Sequence, residues 1–454
     1  MTMKKLIRRI VWLLVLAIVA FAVIYAWPRA PILTAFAARG MCSGVFVMDR
    51  QPERVSAEDL SFFPISLAKT KIDYEEKSVT ARVLGLAKRK AVYREGLGAV
   101  LVLDIPEEEL KAKTVTRPDP GYDPDTIPWP KGDLIQASLP EGVDYDKLNT
   151  IVDNAFDGTD DEPFKKTLAV AVVYDNMLIG EKYLDSSHEG TIFHGWSQAK
   201  SITNAMIGVL VKDGKLDVNK PTGIAEWKND GRNEITLNNL LQMTDGLHFV
   251  EDYFDISEVT RMLYTSDDMY KFSISNPLEN SPGTVWNYSG GSSNILSGII
   301  RNTIGDDTEY YDFPYSELFH RIGMLHTLFE TDGAGTFVGS SYCYASTRDW
   351  ARFGLLYMND GIFNGDTIFR EGWVDYSTEP APGSQGQYGA QIWLQKKDGR
   401  YPDIPDDMFL VDGFQGQRVF IIPSKKLVVV RMGYSMKNFD MNEFLEEIIS
   451  TLPG

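Results

Sequence analysis

Two pairs of strongly β-forming runs, far apart in the chain, constrain its fold more than any other feature. Leu168-Ala169-Val170-Ala171-Val172-Val173-Tyr174 and Met177-Leu178-Ile179-Gly180 flank Asp175-Asn176. Asp and Asn tolerate the left-handed backbone of a tight two-residue turn, so this stretch reads as a hairpin. Near the other end, 418–422 and 427–431 flank Pro423-Ser424-Lys425-Lys426 and read as a second hairpin. Helical signals lie between and after them. Thr236 precedes Leu237-Asn238-Asn239-Leu240-Leu241 as an N-cap, 349–357 carries apolar residues at helical spacing, and 441–452 reads as a closing helix. Strands that bracket a helical middle fit one antiparallel sheet built from both ends of a domain, with helices packed on it.

Three segments of this domain could carry chemistry. The first is Ser197-Gln198-Ala199-Lys200, followed by Ile202, Met206, Val209 and Leu210 at helical spacing and a stop at Asp213-Gly214. A serine and a lysine three apart share a helix face. With Ser197 in the first turn, its hydroxyl lies among unpaired backbone N–H groups and beside the Lys200 amine, one way to activate a serine without histidine. The second is Trp286-Asn287-Tyr288-Ser289-Gly290, after a turn at Ser281-Pro282-Gly283-Thr284. A phenol with a pKa of about 10 is a poor base at neutral pH, but a nearby ammonium favours the phenolate, and Lys200 could supply it. The third is Gly413-Phe414-Gln415-Gly416-Gln417, entering the 418 strand. Glycines there allow a substrate close to the backbone, whose N–H groups can hold an oxyanion.

In this order, the three segments resemble those of serine hydrolases of the class C β-lactamase and D,D-peptidase superfamily, above all the esterase-like and 6-aminohexanoate-dimer-hydrolase-like members. The likeness runs from about Leu134 to the C-terminus and extends to Tyr344-Ala345-Ser346-Thr347-Arg348-Asp349 entering a helix. It implies an α/β (α+β) fold of the β-lactamase/transpeptidase type, with an antiparallel sheet flanked by helices and a helical subdomain. It implies Ser197 as nucleophile, and Lys200 as the charged partner that lowers the serine and tyrosine pKa values or acts as base itself. Tyr288 would carry the proton to the leaving group, and the backbone N–H groups of Ser197 and Gln417 would form the oxyanion hole. Acyl transfer to Ser197 and hydrolysis of the acyl-enzyme follow, with no metal or organic cofactor. Gly290, Phe414, Gln415 and Gly416 would line the substrate site. Two positions depart from the pattern: Gly290 stands where true β-lactamases have asparagine, and Phe414 where the strand motif opens with lysine or histidine. These departures disfavour a β-lactam and favour an ester or unusual amide, a small or peptide-like molecule, in a more apolar cleft. They also keep open a non-catalytic or weakly active cell-envelope binding protein on the same fold.

A Ser-His-Asp hydrolase fits less well. The five histidines, His188, His194, His248, His320 and His326, accompany no G-x-S-x-G, and His194 reads as ordering the loop before Ser197. No H-E-x-x-H or CxxC suggests zinc. Cys42 and Cys343 allow one disulfide in an exported domain or two thiols. A net charge of -18 argues against nucleic acid as a partner.

The N-terminus carries Lys4, Lys5, Arg8 and Arg9, then an uncharged apolar run over 10–27 with Trp12, Tyr25 and Trp27 near its ends. At about 1.5 Å rise per residue it just crosses a bilayer core. The basic flank predicts a single-pass anchor with the rest of the chain outside the cytoplasm; with the resemblance above, this implies a bacterial inner membrane and a periplasmic domain. A cleaved signal peptide is the rival reading, with Ala35-Phe36-Ala37 as its site. Three regions are thus expected: 1–30 as cytoplasmic tip and anchor, 31–133 as a small accessory region with strands at 79–84 and 99–103 and a proline-rich connector, and 134–454 as the hydrolase domain.

Overall fold

The computed structural model describes residues 3–158, 164–396, 399–435 and 438–453. These form two compact units. Unit 1 takes Met1–Arg94, Gly98–Lys113 and, from much later in the chain, Val250–Asp267; unit 2 takes Glu95–Leu97, Thr114–Phe249 and Asp268–Gly454.

Unit 1 is built on one long helix, α1 (Met3–Phe46), whose most apolar stretch is wholly exposed. A π turn at Ala22–Ala26 precedes Pro28 and Pro31, where the missing proline N–H groups break the regular ladder. The helix does not end at this expected boundary. From Ala30 onward it changes surroundings, and Leu33, Ala35, Ala38, Met41 and Cys42 are buried. Their cover is an antiparallel meander of β1 (Ala68–Asp73), β2 (Ser78–Val83), β3 (Leu86–Arg94) and β4 (Gly98–Val102). On another side the short helix Pro52–Glu58 approaches closely; a Cβ on Gly44 would stand 2.6 Å from its Val55. The segment 250–267 adds a loop and the helix Glu258–Thr265, started by a capping box between Ser257 and Thr260. The Tyr264 ring lies 5.4 Å from that of Phe36.

Unit 2 contains, in order, α2 (Tyr145–Asn154), β5 (Thr167–Tyr174), β6 (Met177–Tyr183), β7 (Ile192–His194), α3 (Gln198–Lys212), α4 (Gly290–Ile304), β8 (Thr327–Phe329), β9 (Cys343–Ser346), α5 (Thr347–Met358), β10 (Trp393–Leu394), β11 (Phe409–Gly413), β12 (Gln417–Ile422), β13 (Leu427–Gly433) and α6 (Met441–Ile449), with shorter helices between. Six strands form an antiparallel sheet in the order β10-β11-β12-β13-β5-β6, so the first and last thirds of the unit meet at the β13–β5 pair. A second sheet has the order β7-β9-β8. β5 is buried on both faces, which is why it reads as an unbroken apolar run rather than an alternating one. Its Ala169, Ala171 and Val173 join the core that holds α3 and α5. Its Val170 and Val172 join a second layer with Leu148 and Ile151 of α2 and Leu445 and Ile448 of α6. The hairpin turn has Asp175 at φ 47° and Asn176 at φ 65°, the primed geometry expected. Thr236 caps its helix through a capping box with Asn239, and Ser346 caps α5.

The proline-rich stretch before residue 134 is not a bare connector. Trp129 is buried in the main core, and its Nε1 donates to the Asn176 carbonyl at 3.0 Å. The Arg352 guanidinium lies 4.7 Å from that ring and donates to the carbonyls of Pro130 and Gly132. Arg352 also pairs with Asp349 and Asp133. Burial pushes the Asp133 carboxyl up, but Arg352 and Arg348 together hold the group below its ordinary range. Prolines here shape turns that a buried tryptophan and arginine pin down. Cys42 and Cys343 are both buried, and no disulfide joins them.

Candidate active site

Ser197 occupies the N-cap position of α3 and is half-buried. Trp196, just before it, adopts φ 51°, a left-handed conformation that is costly for a residue with a side chain. Stacking holds it there. The His194 ring lies between Trp196, at 4.0 Å, and Tyr344, at 4.6 Å, and its Nε2–H donates to the Ser341 carbonyl at 2.8 Å. His194 orders this loop, in keeping with the sequence reading.

Lys200, one turn along α3, is only 1% exposed. Its Nζ donates to Ser197 Oγ at 3.1 Å and to the Ser340 carbonyl at 2.9 Å. It also lies 4.9 Å from the centre of the Tyr288 ring. Ser340 is held in turn by Asn294 on α4: the Ser340 N–H donates to Asn294 Oδ1, and Asn294 Nδ2 donates to Ser340 Oγ, both at 3.2 Å. Tyr288 stands immediately ahead of α4, which Ser289 caps by accepting from the Ser292 N–H. Trp393 and Tyr388 pack on the Tyr288 ring at 5.3 and 5.7 Å, and Trp286 packs on both. Gly290 is buried in the first turn of α4, and a Cβ on Gly291 would press on the Phe249 ring at 2.7 Å.

The third segment reaches the same place through backbone contact. A Cβ on Gly413, at the end of β11, would stand 2.1 Å from the Gly195 carbonyl, so this strand and the loop before Ser197 approach as only glycine allows. The Phe414 ring meets Trp196 edge-on at 5.4 Å. Gln415 takes φ 62° and Gly416 φ 90° in the turn into β12. Two arginines clamp that turn. Arg418 Nη1 donates to the carbonyls of Gly413 and Gln417, and Arg431 Nη1 donates to that of Gly416. Burial, with Arg418 nearby, pushes the Arg431 pKa down to about 9. The Gln417 side chain is committed to the neighbouring strand, bonding both the carbonyl and the N–H of Gly433.

The fold therefore gathers all three segments, with Ser197, Lys200 and Tyr288 around one amine and Phe414 beside the serine loop. Several groups in this arrangement belong to no motif. Ser340 and Asn294 fix the lysine. Gln391, buried and left-handed at φ 60°, accepts from Ser293 Oγ at 2.6 Å, donates to the carbonyls of Leu240 and Leu241, and offers its own carbonyl to Ser201. It thus ties α3 to α4. Asp245 is buried at the start of α4, where it accepts from Ser292 Oγ at 2.6 Å and from the Leu247 N–H at 2.9 Å. Burial pushes its carboxyl above the ordinary range. Nothing in the sequence marks these residues, because their partners are distant in the chain. Among the described residues, no three of His, Cys, Asp and Glu gather as a metal-binding group.

A family model described as Beta-lactamase matches residues 152–446, well over half of the chain. The chain belongs to this family. The esterase-like and dimer-hydrolase-like resemblance of its motifs agrees with what it matches. A 6-aminohexanoate-dimer hydrolase of Paenarthrobacter ureafaciens is 23% identical over 268 residues, 52% of this chain. The match spans 64% of that relative, less than two thirds of its length. Among solved structures, a family VIII carboxylesterase is 13% identical with TM-score 0.54, over 70% of this chain and 98% of its own. A penicillin-binding protein homolog from Caulobacter crescentus is 12% identical with TM-score 0.53, over 70% and 99%. At these identities the likeness is one of fold. This member of the beta-lactamase family carries the β-lactamase/transpeptidase-like fold, with antiparallel sheets and helices packed on them.

Proposed function

We propose that the chain is a membrane-anchored serine hydrolase that cleaves an ester or an amide through an acyl-serine intermediate. The observation that carries this reading is the buried Lys200 amine, 3.1 Å from Ser197 Oγ and 4.9 Å from the Tyr288 ring. An amine so placed receives or balances the proton that leaves Oγ as it attacks a carbonyl, and Tyr288 passes a proton to the leaving group. Backbone N–H groups of Ser197 and Gln417 hold the developing oxyanion. Water then attacks the acyl-enzyme by the same route in reverse. Phe414 against Trp196 gives the cleft an apolar wall where the family's β-lactamases place a cation. An uncharged ester or amide suits such a wall better than a β-lactam carboxylate. The hydrolase and esterase names of the proteins compared above favour the same choice.

The test is a fluorophosphonate probe together with a panel of p-nitrophenyl esters, short linear amides, D-Ala-D-Ala peptides and a cephalosporin reporter. The probe is expected on Ser197, with ester turnover that Ser197→Ala abolishes. Lys200→Ala and Tyr288→Phe should each lower kcat by about 100-fold or more. Wild-type turnover by Ser197→Ala would reject the assignment. A folded chain that takes no probe and turns over no substrate would be a binding protein on this fold.

A further inference from the structure

We propose that the loop over 250–257 is a second membrane contact, inserting Phe254 and Ile256 into the lipid interface beside the point where α1 leaves the bilayer. This rests on the reading of α1 as a membrane anchor. Phe254 is 77% exposed, and Val250 and Ile256 on the same loop are 44% and 37% exposed. Scattered apolar side chains on a surface need no explanation, but the position of these does. The loop belongs to unit 1, with α1. The Asp255 carboxylate pairs with the Arg29 guanidinium. Arg29 in turn lies 3.7 Å over the Tyr25 ring and donates to the Tyr25 carbonyl at 2.9 Å. Tyr25 and Trp27, both exposed, are the aromatic residues that end the apolar stretch of α1. Amphipathic rings at the end of a spanning helix mark the headgroup level. The ion pair therefore places 254–256 at that level, beside the end of the exposed apolar stretch.

Several polar groups of the loop are satisfied within unit 1, which lowers the cost of bringing its backbone to a lipid interface. The Phe254 N–H donates to Asp252 Oδ1 at 2.8 Å, the Ile256 N–H to Asp255 Oδ1 at 2.7 Å, and Ser257 Oγ to the Asp252 carbonyl at 2.6 Å. Thr260 Oγ1 donates to the Asp255 carbonyl at 2.9 Å. The Phe254 ring is the most exposed apolar group of the loop, with Val250 and Ile256 exposed beside it. Glu251, Asp252, Asp255 and Glu258 give the segment an acidic character, so attraction to anionic headgroups is not the driving force. The occupant is the apolar edge of a bilayer, and zwitterionic lipid serves as well as any.

The test uses the full chain in phosphatidylcholine vesicles. A single NBD probe is attached at Phe254→Cys; Cys42 and Cys343 are buried in the folded chain. Lipids with brominated acyl chains should quench the probe at 254 by about twofold relative to unbrominated lipids of the same headgroup. Arg29→Ala should reduce quenching at 254 while flotation with vesicles persists. A chain that floats with vesicles but shows no quenching at 254 overturns the loop contact and leaves the anchor standing. A chain that does not float overturns both. A probe at 254 that is shielded only at high protein concentration, and never quenched by lipid, marks a second copy as the occupant and overturns the proposal.

Discussion

A lysine almost wholly removed from water persists only where its amine is hydrogen-bonded from several sides. Lys200 meets the Ser197 hydroxyl, the Ser340 carbonyl and the face of Tyr288. Around it, four residues with side chains adopt left-handed backbone: Trp196, Met243, Gln391 and Gln415. Such conformations each cost about 1–3 kcal/mol and persist where surrounding contacts over-determine them. Met243 shows how: its carbonyl accepts from the Asn287 N–H at 2.9 Å, and its sulfur from the Ser289 N–H at 3.2 Å, fixing both sides of Tyr288. Asp245 extends this support. Its native carboxyl pKa is raised by burial, so the folded chain keeps a proton at pH values where the unfolded chain, with a pKa of about 4, has released it. Stability from this group is therefore present at low pH and lost as pH rises through the raised native value. Asp245→Asn keeps an acceptor for Ser292 or Leu247 and removes the titration. Thermal unfolding measured from pH 4 to 8 should decline less with rising pH in this variant than in the parent; parallel curves would mean that Asp245 is not the group responsible.

At the scale of elements, the decisive contact is between the end of β11 and the loop ahead of α3. Backbone meets backbone there. The Gly413 position lies against the Gly195 carbonyl, and Trp196 and Phe414 close over it. In Gly413→Ala the added methyl would start 2.1 Å from that oxygen, so strand and loop must part. Overpacking of this kind costs typically 1–3 kcal/mol, which a domain of this size survives. The far-UV spectrum should be retained while fluorophosphonate labelling of Ser197 slows by about tenfold or more. Unchanged labelling would show that this approach does not shape the site. Much of the element layout is legible in the sequence, because hairpin turns and N-caps are local chemistry: Asp175-Asn176, Thr236 and Ser346 each act through partners within a few residues. The three motifs are legible for the same reason. What surrounds them is not. Ser340, Asn294, Gln391, Tyr388 and Trp393 reach the site through tertiary packing, and no spacing in the chain foretells their partners. The 250–267 segment escaped notice likewise, since only contacts with α1 reveal its membership of unit 1. Proline density misled at Trp129, because a buried ring outweighs the stiffness of its neighbours.

At the scale of the molecule, each unit has its own core, and α1 serves unit 1 in two ways along its length. Its apolar stretch is exposed all round, whereas Ala30 to Gly44 carry the residues that cover the meander. The two functions separate at Pro28. A chain shortened to begin at Pro28 keeps Arg29 and every buried position of the helix while losing the exposed stretch, so it should remain monodisperse without detergent and fully folded. A chain shortened to begin at Val47 should behave differently. It loses Leu33, Met41 and their buried neighbours, worth on the order of 2 kcal/mol for each large side chain. It also leaves β1–β4 without their helical cover, and a small meander with one face bared is not stable alone. Limited proteolysis distinguishes the cases: the chain from Pro28 should resist cleavage over 47–113, and the chain from Val47 should be cut there rapidly. Equal resistance of both would mean that the meander draws its stability from elsewhere than α1. Vesicle binding by the chain from Pro28 as strong as that of the full chain would mean that the exposed stretch is not what holds the protein at a membrane.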